Sequence, residues 1–215
     1  MYNLVKPLSV REALLQRKIR VFTAREFAML FGLNPYQAEY ALSHLIQEGL
    51  LVRLKRGVYM LKTDPPREKE LANALYRPSY LSFDYALSYY NLIPEAVYQI
   101  TSATTKPTRL FTTDTQAFGY YTIKKEAYTG YVLKQEGERG FYIATAEKAV
   151  VDYLYALSLG QRGILGKRTI NDRLDLSSVN KEKIQEYAQL FLWTKLNEII
   201  DELLHKKLYD FRRND

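Results

Sequence analysis

An α+β fold in two domains is predicted by three features of this 215-residue sequence. The first third contains short amphipathic helices followed by a tight hairpin, the middle contains several short strands, and the last third returns to helical periodicity. Consecutive strands without intervening helices favour a mainly antiparallel sheet flanked by helices. We therefore expect an N-terminal domain over residues 1–63 and a C-terminal α+β domain over residues 64–215.

The composition excludes several classes of protein. Hydrophobic residues make up 47% of the chain and charged residues 26%, which is typical of a globular protein. With no cysteine and two histidines, the sequence offers no disulfide, no thiol nucleophile and no usual zinc ligand set. No run approaches 18 apolar residues, and the first residues lack the apolar segment of a signal peptide. We expect a cytoplasmic protein with no metal, no small-molecule cofactor and no membrane partner.

Positive charge is concentrated at the N-terminal end of the chain. Residues 1–63 contain ten basic and four acidic residues, which account for six of the seven formal net positive charges. An excess confined to one domain is typical of a surface that meets a polyanion. The N-terminal domain is therefore the candidate nucleic-acid-binding part.

Two capping patterns predict the helices of this domain. Thr23 and Glu26 have the spacing of a capping box, so a short helix should begin after Thr23, and Gly32 can adopt the positive φ that ends it. Asn34 and the proline after it predict the start of the next helix. This spacing is that of a helix-turn-helix, and a helix over residues 10–17 would complete its three-helix core.

The second helix of the motif has one apolar face and is followed by a hairpin. Its apolar positions recur at helical spacing and are Ala38, Ala41, Leu42, Leu45 and Ile46. Two strand segments follow, at residues 50–54 and 58–61, and the Lys55-Arg56-Gly57 turn between them predicts a hairpin with a basic tip. Three helices followed by such a hairpin indicate a winged helix-turn-helix.

A winged helix binds DNA by placing the second helix of its motif in the major groove and the hairpin over backbone phosphates. The candidates for contact with base edges lie near the start of that helix and are Tyr36, Gln37, Tyr40 and Ser43. The candidates for contact with phosphates are the cations Arg25, Arg53, Lys55 and Arg56.

Other roles are open for the same residues. Gln37 is placed to close a capping box with Asn34, Tyr40 can shield the first helix, and Arg53 can be a solvated strand residue. Some winged helices bind proteins rather than nucleic acids. The local positive charge favours DNA.

The C-terminal domain contains signals for strands and helices. Segments rich in Tyr, Thr, Ile, Val and Phe predict strands at residues 98–104, 109–112, 117–124, 128–133 and 140–144. Helices are predicted over residues 67–75 and after four N-cap residues, which are Ser82, Thr145, Asn180 and Thr194. The last of these helices is expected to end near residue 205.

No enzyme motif occurs in this domain, and we assign no catalytic residue. Glu147, Lys148 and Asp152 have the composition of a nuclease-like cluster, but their spacing on one helix favours capping and surface pairing. Thirteen of the 19 tyrosines lie between residues 76 and 155, which predicts half-buried, hydrogen-bonded rings. A stacking platform for RNA bases is the alternative.

Three segments of the C-terminal domain have a recognisable pattern, at residues 81–95, 100–109 and 144–152. Together with the Lys55-Arg56-Gly57-Val58-Tyr59 hairpin, they resemble the AbiEi-like antitoxins of bacterial abortive-infection systems. The resemblance covers about residues 10–157. The family has no agreed catalytic residues, and none are carried over to this chain.

The resemblance implies a regulator with two activities. Its winged helix would bind double-stranded DNA at inverted repeats and repress the protein's own operon, and its C-terminal domain would be needed for antitoxicity. The toxin of such a pair is a nucleotidyltransferase-like protein, which the antitoxin opposes without a stable complex. Two rival interpretations are a nucleotide- or RNA-modifying enzyme targeted by a winged helix, and a winged-helix module that binds a protein.

Overall fold

The structure is a computed structural model that describes residues 5–113, 116–160 and 169–211, with side chains described as far as residue 204. Its Cα packing divides the chain into two compact units, Met1–Leu75 and Tyr76–Asp215, here called the N-terminal and the C-terminal unit. No helix in the described ranges has both the length and the apolar character needed to cross a bilayer.

The N-terminal unit is a winged helix-turn-helix with one additional helix. Its elements are α1 (Pro7–Gln16), β1 (Val21–Thr23), α2 (Ala24–Phe31), α3 (Pro35–Gln47), β2 (Leu51–Lys55), β3 (Val58–Leu61) and α4 (Glu68–Leu75). The strands form an antiparallel sheet in the order β1-β3-β2. The short strand β1 was not predicted, because three residues are too few to show a period of two.

Local capping determines where α2 and α3 begin. Thr23 Oγ1 accepts a hydrogen bond from the backbone N–H of Glu26 at 3.2 Å, and the Glu26 carboxylate accepts one from the N–H of Thr23 at 2.6 Å. Gly32 ends α2 with a φ of 63°. The predicted caps are confirmed, and they orient α3 over a core that includes Val10, Leu14, Phe22, Phe27, Leu42, Leu45, Leu51 and Leu61.

The linker after the hairpin packs with the winged helix. Arg20 Nε lies 2.8 Å from Asp64 Oδ2, and Arg20 Nη1 lies 3.6 Å from Glu70 Oε1. These ion pairs join the loop before β1 to the linker and to α4. Consistent with these contacts, the packing boundary follows Leu75. A functional division at residues 63 and 64 stays a prediction.

The C-terminal unit consists of a six-stranded sheet and four α-helices within the described residues. Its elements are β4 (Ser79–Leu81), α5 (Phe83–Tyr89), β5 (Ile100–Thr104), β6 (Arg109–Thr112), β7 (Ala117–Thr122), a 3₁₀ turn (Lys125–Ala127), β8 (Tyr131–Glu136), β9 (Arg139–Ala144), α6 (Ala146–Ser158), α7 (Lys181–Gln189) and α8 (Thr194–Phe211).

The sheet has the order β6-β7-β5-β4-β9-β8. Three neighbouring pairs are antiparallel, whereas β4–β9 and β5–β7 are parallel. The α+β class and the mainly antiparallel sheet are confirmed, although two of the five strand pairs are parallel. The parallel pairs arise because β4 inserts between β5 and β9, and because β7 inserts between β5 and β6. Strand β4 was not among the strands predicted from the sequence.

A charged pair lies in the core of this unit. Lys148 and Asp152, one turn apart on α6, are both fully buried and form an ion pair. The prediction that they pair at the surface is wrong. Asp152 Oδ2 also accepts hydrogen bonds from Ser82 Oγ at 2.7 Å and from Tyr80 Oη at 3.0 Å. Ser82 occupies the N-cap position of α5, but its hydroxyl donates to Asp152 and does not cap the helix, contrary to the prediction.

Aromatic side chains enclose the charged pair. Lys148 Nζ lies 4.6 Å from the centroid of the Phe191 ring, and Tyr131 stacks on Tyr80 at a centroid distance of 4.6 Å. Gly130 passes so close that a Cβ there would lie 2.7 Å from the Tyr187 ring, so only glycine fits. The pair is therefore sealed from solvent by close packing.

Candidate nucleic-acid interface

Helix α3 presents an exposed face opposite its core face. Ala38, Ala41, Leu42 and Leu45 are buried against the rest of the winged helix. Tyr36 and Tyr40, one turn apart on the other side, are 69% and 51% exposed. Large aromatic side chains exposed at the start of a recognition helix can contact thymine methyl groups and sugar edges in the major groove.

Gln37 is engaged in the cap of α3. Its backbone N–H donates to Asn34 Oδ1 at 2.9 Å, and its side-chain Oε1 accepts from the backbone N–H of Asn34 at 3.0 Å. The residue is half-buried on the flank of the helix. Its carbonyl oxygen, the acceptor half of the amide, is therefore used inside the protein.

Ser43 is exposed one turn after Glu39 and is tied to it. The Ser43 hydroxyl donates to the backbone carbonyl of Glu39 at 2.9 Å. Its single proton is thus used within the helix, and the oxygen presents only lone pairs to a partner. The exposed carboxylate of Glu39 lies beside it on the same strip of the helix surface.

The hairpin and the start of α2 are joined through their backbones. The N–H of Ala24 donates to the carbonyl of Gly57 at 3.1 Å. Gly57 has a φ of 75°, a conformation that favours glycine and closes the two-residue turn. The bond brings together Arg25, next to Ala24, and Arg56, next to Gly57. Both side chains are exposed.

The cations of this surface are available to an external anion. Arg25, Arg53 and Arg56 are exposed and make no ion pair with a carboxylate in the described part of the chain. Lys55 is half-buried and has other contacts within the protein. A bulge in the pairing of β2 with β3 falls between Arg53 and Lys55 and bends the strand between these cations.

Residues 12–62 match the family model described as "Transcriptional regulator, AbiEi antitoxin". The winged helix is therefore similar to the one that this model describes. The match runs from the second turn of α1 to the end of the hairpin, so it contains α2, α3 and all the candidate DNA contacts. The resemblance inferred from the sequence motifs is confirmed over these residues.

The match also indicates a class of function for the winged helix. The description of the matched model names a transcriptional regulator and antitoxin. Residues 63–215 lie outside the matched range, so the antitoxin interpretation of the C-terminal unit rests on its own sequence motifs. No curated protein matches the chain.

The nuclease-like cluster noted in the sequence is not an accessible site. Lys148 and Asp152 are fully buried, and Asp152 uses both carboxylate oxygens within the protein. Glu147 is separate from them and accepts a hydrogen bond from the backbone N–H of Asn180 at 3.3 Å. The three side chains do not converge on a common substrate position.

Sequence reasoning missed Glu39 as a candidate contact. The helical period places it on the exposed side of α3, but only neutral residues and cations were assigned to DNA. A negative charge at that position is unusual on a basic surface. The position of Glu39 on the exposed face of the predicted helix, together with its negative charge in a basic domain, was the signal that could have identified it.

Proposed function

We propose that this protein is a DNA-binding transcriptional repressor that recognises inverted repeats at its own operon. The observation that carries the proposal is the exposed face of α3 together with arginines that pair with no carboxylate of the described residues, in a winged helix that matches the AbiEi model. In this proposal α3 enters the major groove. Arg25, Arg53, Lys55 and Arg56 hold the phosphates on either side.

The two classes of contact do different work. Phosphate contacts by arginine and lysine supply affinity and orientation without regard to sequence. Contacts from Tyr36, Tyr40 and the polar side chains near them supply discrimination between base pairs. Gln37 contributes mainly by capping, which fixes where α3 begins.

We further propose that the C-terminal unit provides antitoxicity. The support is the resemblance of residues 81–95, 100–109 and 144–152 to AbiEi-like antitoxins. The partner in this proposal is a nucleotidyltransferase-like toxin, which the protein opposes without forming a stable complex. No catalytic residue, metal or cofactor is assigned to this role.

Separating the two compact units tests both proposals. In a fluorescence-anisotropy titration with operator DNA, a fragment of residues 1–75 should retain affinity, because it keeps the α3 surface, the hairpin and the partners of Arg20. A fragment of residues 76–215 should bind at least about tenfold more weakly, since residues 1–75 carry a formal net charge of +5 and residues 76–215 one of +2. Stronger binding by the second fragment would overturn the assignment of DNA contact to the winged helix.

The same fragments test antitoxicity. When the cognate toxin is expressed, residues 1–75 alone should fail to restore growth, whereas the full chain should restore it. Size-exclusion chromatography of the full chain mixed with toxin should show two separate peaks. Rescue by residues 1–75, or a stoichiometric complex, would contradict the corresponding part of the proposal.

The hairpin cations are expected to act as point charges on phosphates. Replacing both Lys55 and Arg56 with alanine should weaken binding to operator and random DNA alike. The slope of log K against log salt should flatten by up to roughly two units, at about 0.9 per phosphate contact. The matched control is Lys183→Ala/Lys195→Ala, which removes two exposed lysines of the C-terminal unit. An unchanged salt slope in the hairpin variant would show that the tip does not lie on the backbone.

A further inference from the structure

Glu39 is an exposed anion on the face of α3 that the proposed function places against DNA. Its carboxylate makes no hydrogen bond or ion pair with any described residue. Near a phosphate backbone such a charge opposes binding unless it meets a donor of its own. Either it weakens the interface, or it contacts a group in the groove that can donate a hydrogen bond.

The helix gives Glu39 no structural role. The helix dipole favours an anion within the first turn of a helix. Glu39 is the fifth residue of α3 and so lies beyond that turn. The positions one turn away along the helix are occupied by Pro35, Tyr36, Leu42 and Ser43, none of which is a cation. Within α3, replacing the carboxylate therefore removes no stabilising contact.

The polar groups around Glu39 are biased toward acceptors. Ser43 uses its hydroxyl proton on the Glu39 carbonyl, so its outward side accepts hydrogen bonds. Glu39 and Ser43 are neighbours at the i, i+4 spacing and form one acceptor patch. An acceptor patch in the major groove requires a donor on the base pair.

Only two bases present a hydrogen-bond donor in the major groove. These are cytosine, through its N4 amino group, and adenine, through its N6 amino group. Adenine also presents the N7 acceptor beside its amino group, which would repel a carboxylate, whereas cytosine has a C–H there. The donor that best fits an unpaired carboxylate is therefore cytosine N4.

We propose that Glu39, supported by Ser43, is a specificity-determining residue that selects a cytosine in each half-site of the DNA. The inference rests on the proposed function and adds the identity of a base that the helix requires. Tyr36 and Tyr40, which carry no charge, then contact the neighbouring base pairs. The carboxylate excludes guanine and thymine at its position, because both present acceptors there.

Selection from a pool of randomised duplexes tests the inference with the full chain. The wild type should enrich a motif with an invariant cytosine in each half-site. Replacing that base pair in the selected duplex should lower affinity at least about tenfold, the lower range for a good base contact. Glu39→Ala should lose the preference at that position and bind random DNA more tightly, because an anion has been removed from the interface.

Two further variants sharpen the test. Glu39→Gln keeps the size of the side chain and should shift the preference from cytosine toward adenine, which glutamine can contact through N6 and N7. Glu48→Gln is the matched control, since it removes one exposed carboxylate at the C-terminal end of the same helix, 3.7 Å from His44. This control should enrich the wild-type motif. Circular dichroism should show the same helix content in each variant as in the wild type.

The outcomes separate the inference from the function on which it rests. If the wild type binds no duplex and enriches no motif, the proposed function fails and the inference fails with it. If the wild type enriches a motif that Glu39→Ala and Glu39→Gln reproduce with equal discrimination, DNA binding stands and the role of Glu39 is overturned.

Discussion

Replacing Lys148 with methionine is expected to destabilise the C-terminal unit by about 3–5 kcal/mol, the range measured when one partner of a buried ion pair is removed. Methionine has nearly the shape of lysine, so packing against Phe191 is retained. The cost comes from Asp152, which would be left buried without its cation. Urea unfolding followed by circular dichroism measures the change.

A double variant distinguishes the charge from the packing. Lys148→Met/Asp152→Asn removes both charges and keeps an acceptor for Tyr80 and Ser82, so it should be more stable than Lys148→Met alone. Lys183→Met, at an exposed position on α7, controls for the loss of a lysine as such. Equal destabilisation by the single and the double variant would show that the charge of Asp152 is not the cause.

Alkaline pH is expected to destabilise the same unit through its tyrosines. Burial raises the pKa of Tyr90 and of Tyr153 to about 12 and raises the pKa values of Tyr120 and Tyr128 further. In the unfolded chain a tyrosine titrates near pH 10, so above that pH the unfolded state loses protons first. The contribution of these protonated tyrosines to the free energy of unfolding is therefore complete below about pH 10. It is lost as the pH rises toward the pKa values that the tyrosines have in the folded protein.

Tyr120→Phe isolates one ring of this set. Tyr120 is fully buried, and burial is the cause of its raised pKa. Above pH 10 the free energy of unfolding of the wild type should fall faster with pH than that of Tyr120→Phe, by about 1.4 kcal/mol per pH unit for one linked proton. Below pH 9 the two curves should be parallel.

The difference between the two proteins is the quantity to measure. Burial also lowers the pKa of Lys148, against the opposing effect of Asp152, and this makes stability rise with pH below the ordinary lysine range. That contribution is common to wild type and Tyr120→Phe, so it cancels in the comparison. Parallel curves at all pH values would mean that Tyr120 ionises equally well in the folded and unfolded protein.

Local signals explain why the winged helix is predictable from the sequence. Thr23 with Glu26, and Asn34 with Gln37, each satisfy backbone groups within one turn, so the sequence alone specifies where α2 and α3 begin. The exposed face of α3 follows from the period of 3.6 residues. The choice of Gln37 as a base contact competed with its capping role, and both roles were visible in the sequence.

The strand order of the C-terminal sheet could not be predicted from local sequence signals. Strand β4 has three residues, and its pairing with β5 and β9 depends on segments far away along the chain. Propensity cannot specify such partners, because strand register is decided by which side chains are buried together. The strands near residues 100–144 were therefore predicted, whereas their order and the two parallel pairs were not.

The sequence alone determined the caps of α2, α3, α6 and α7, the hairpin turn, the charge imbalance and the amphipathic stripes, because each depends on composition or on residues close together in the chain. Only the tertiary structure decided the environment of Lys148, Asp152 and Ser82. On α6 alone, the i, i+4 spacing of the charged pair is that of an ordinary surface pair. Tyr80 and Ser82, which lie some 70 positions earlier in the chain, convert it into a buried network, because folding brings their hydroxyl groups to Asp152 and excludes water.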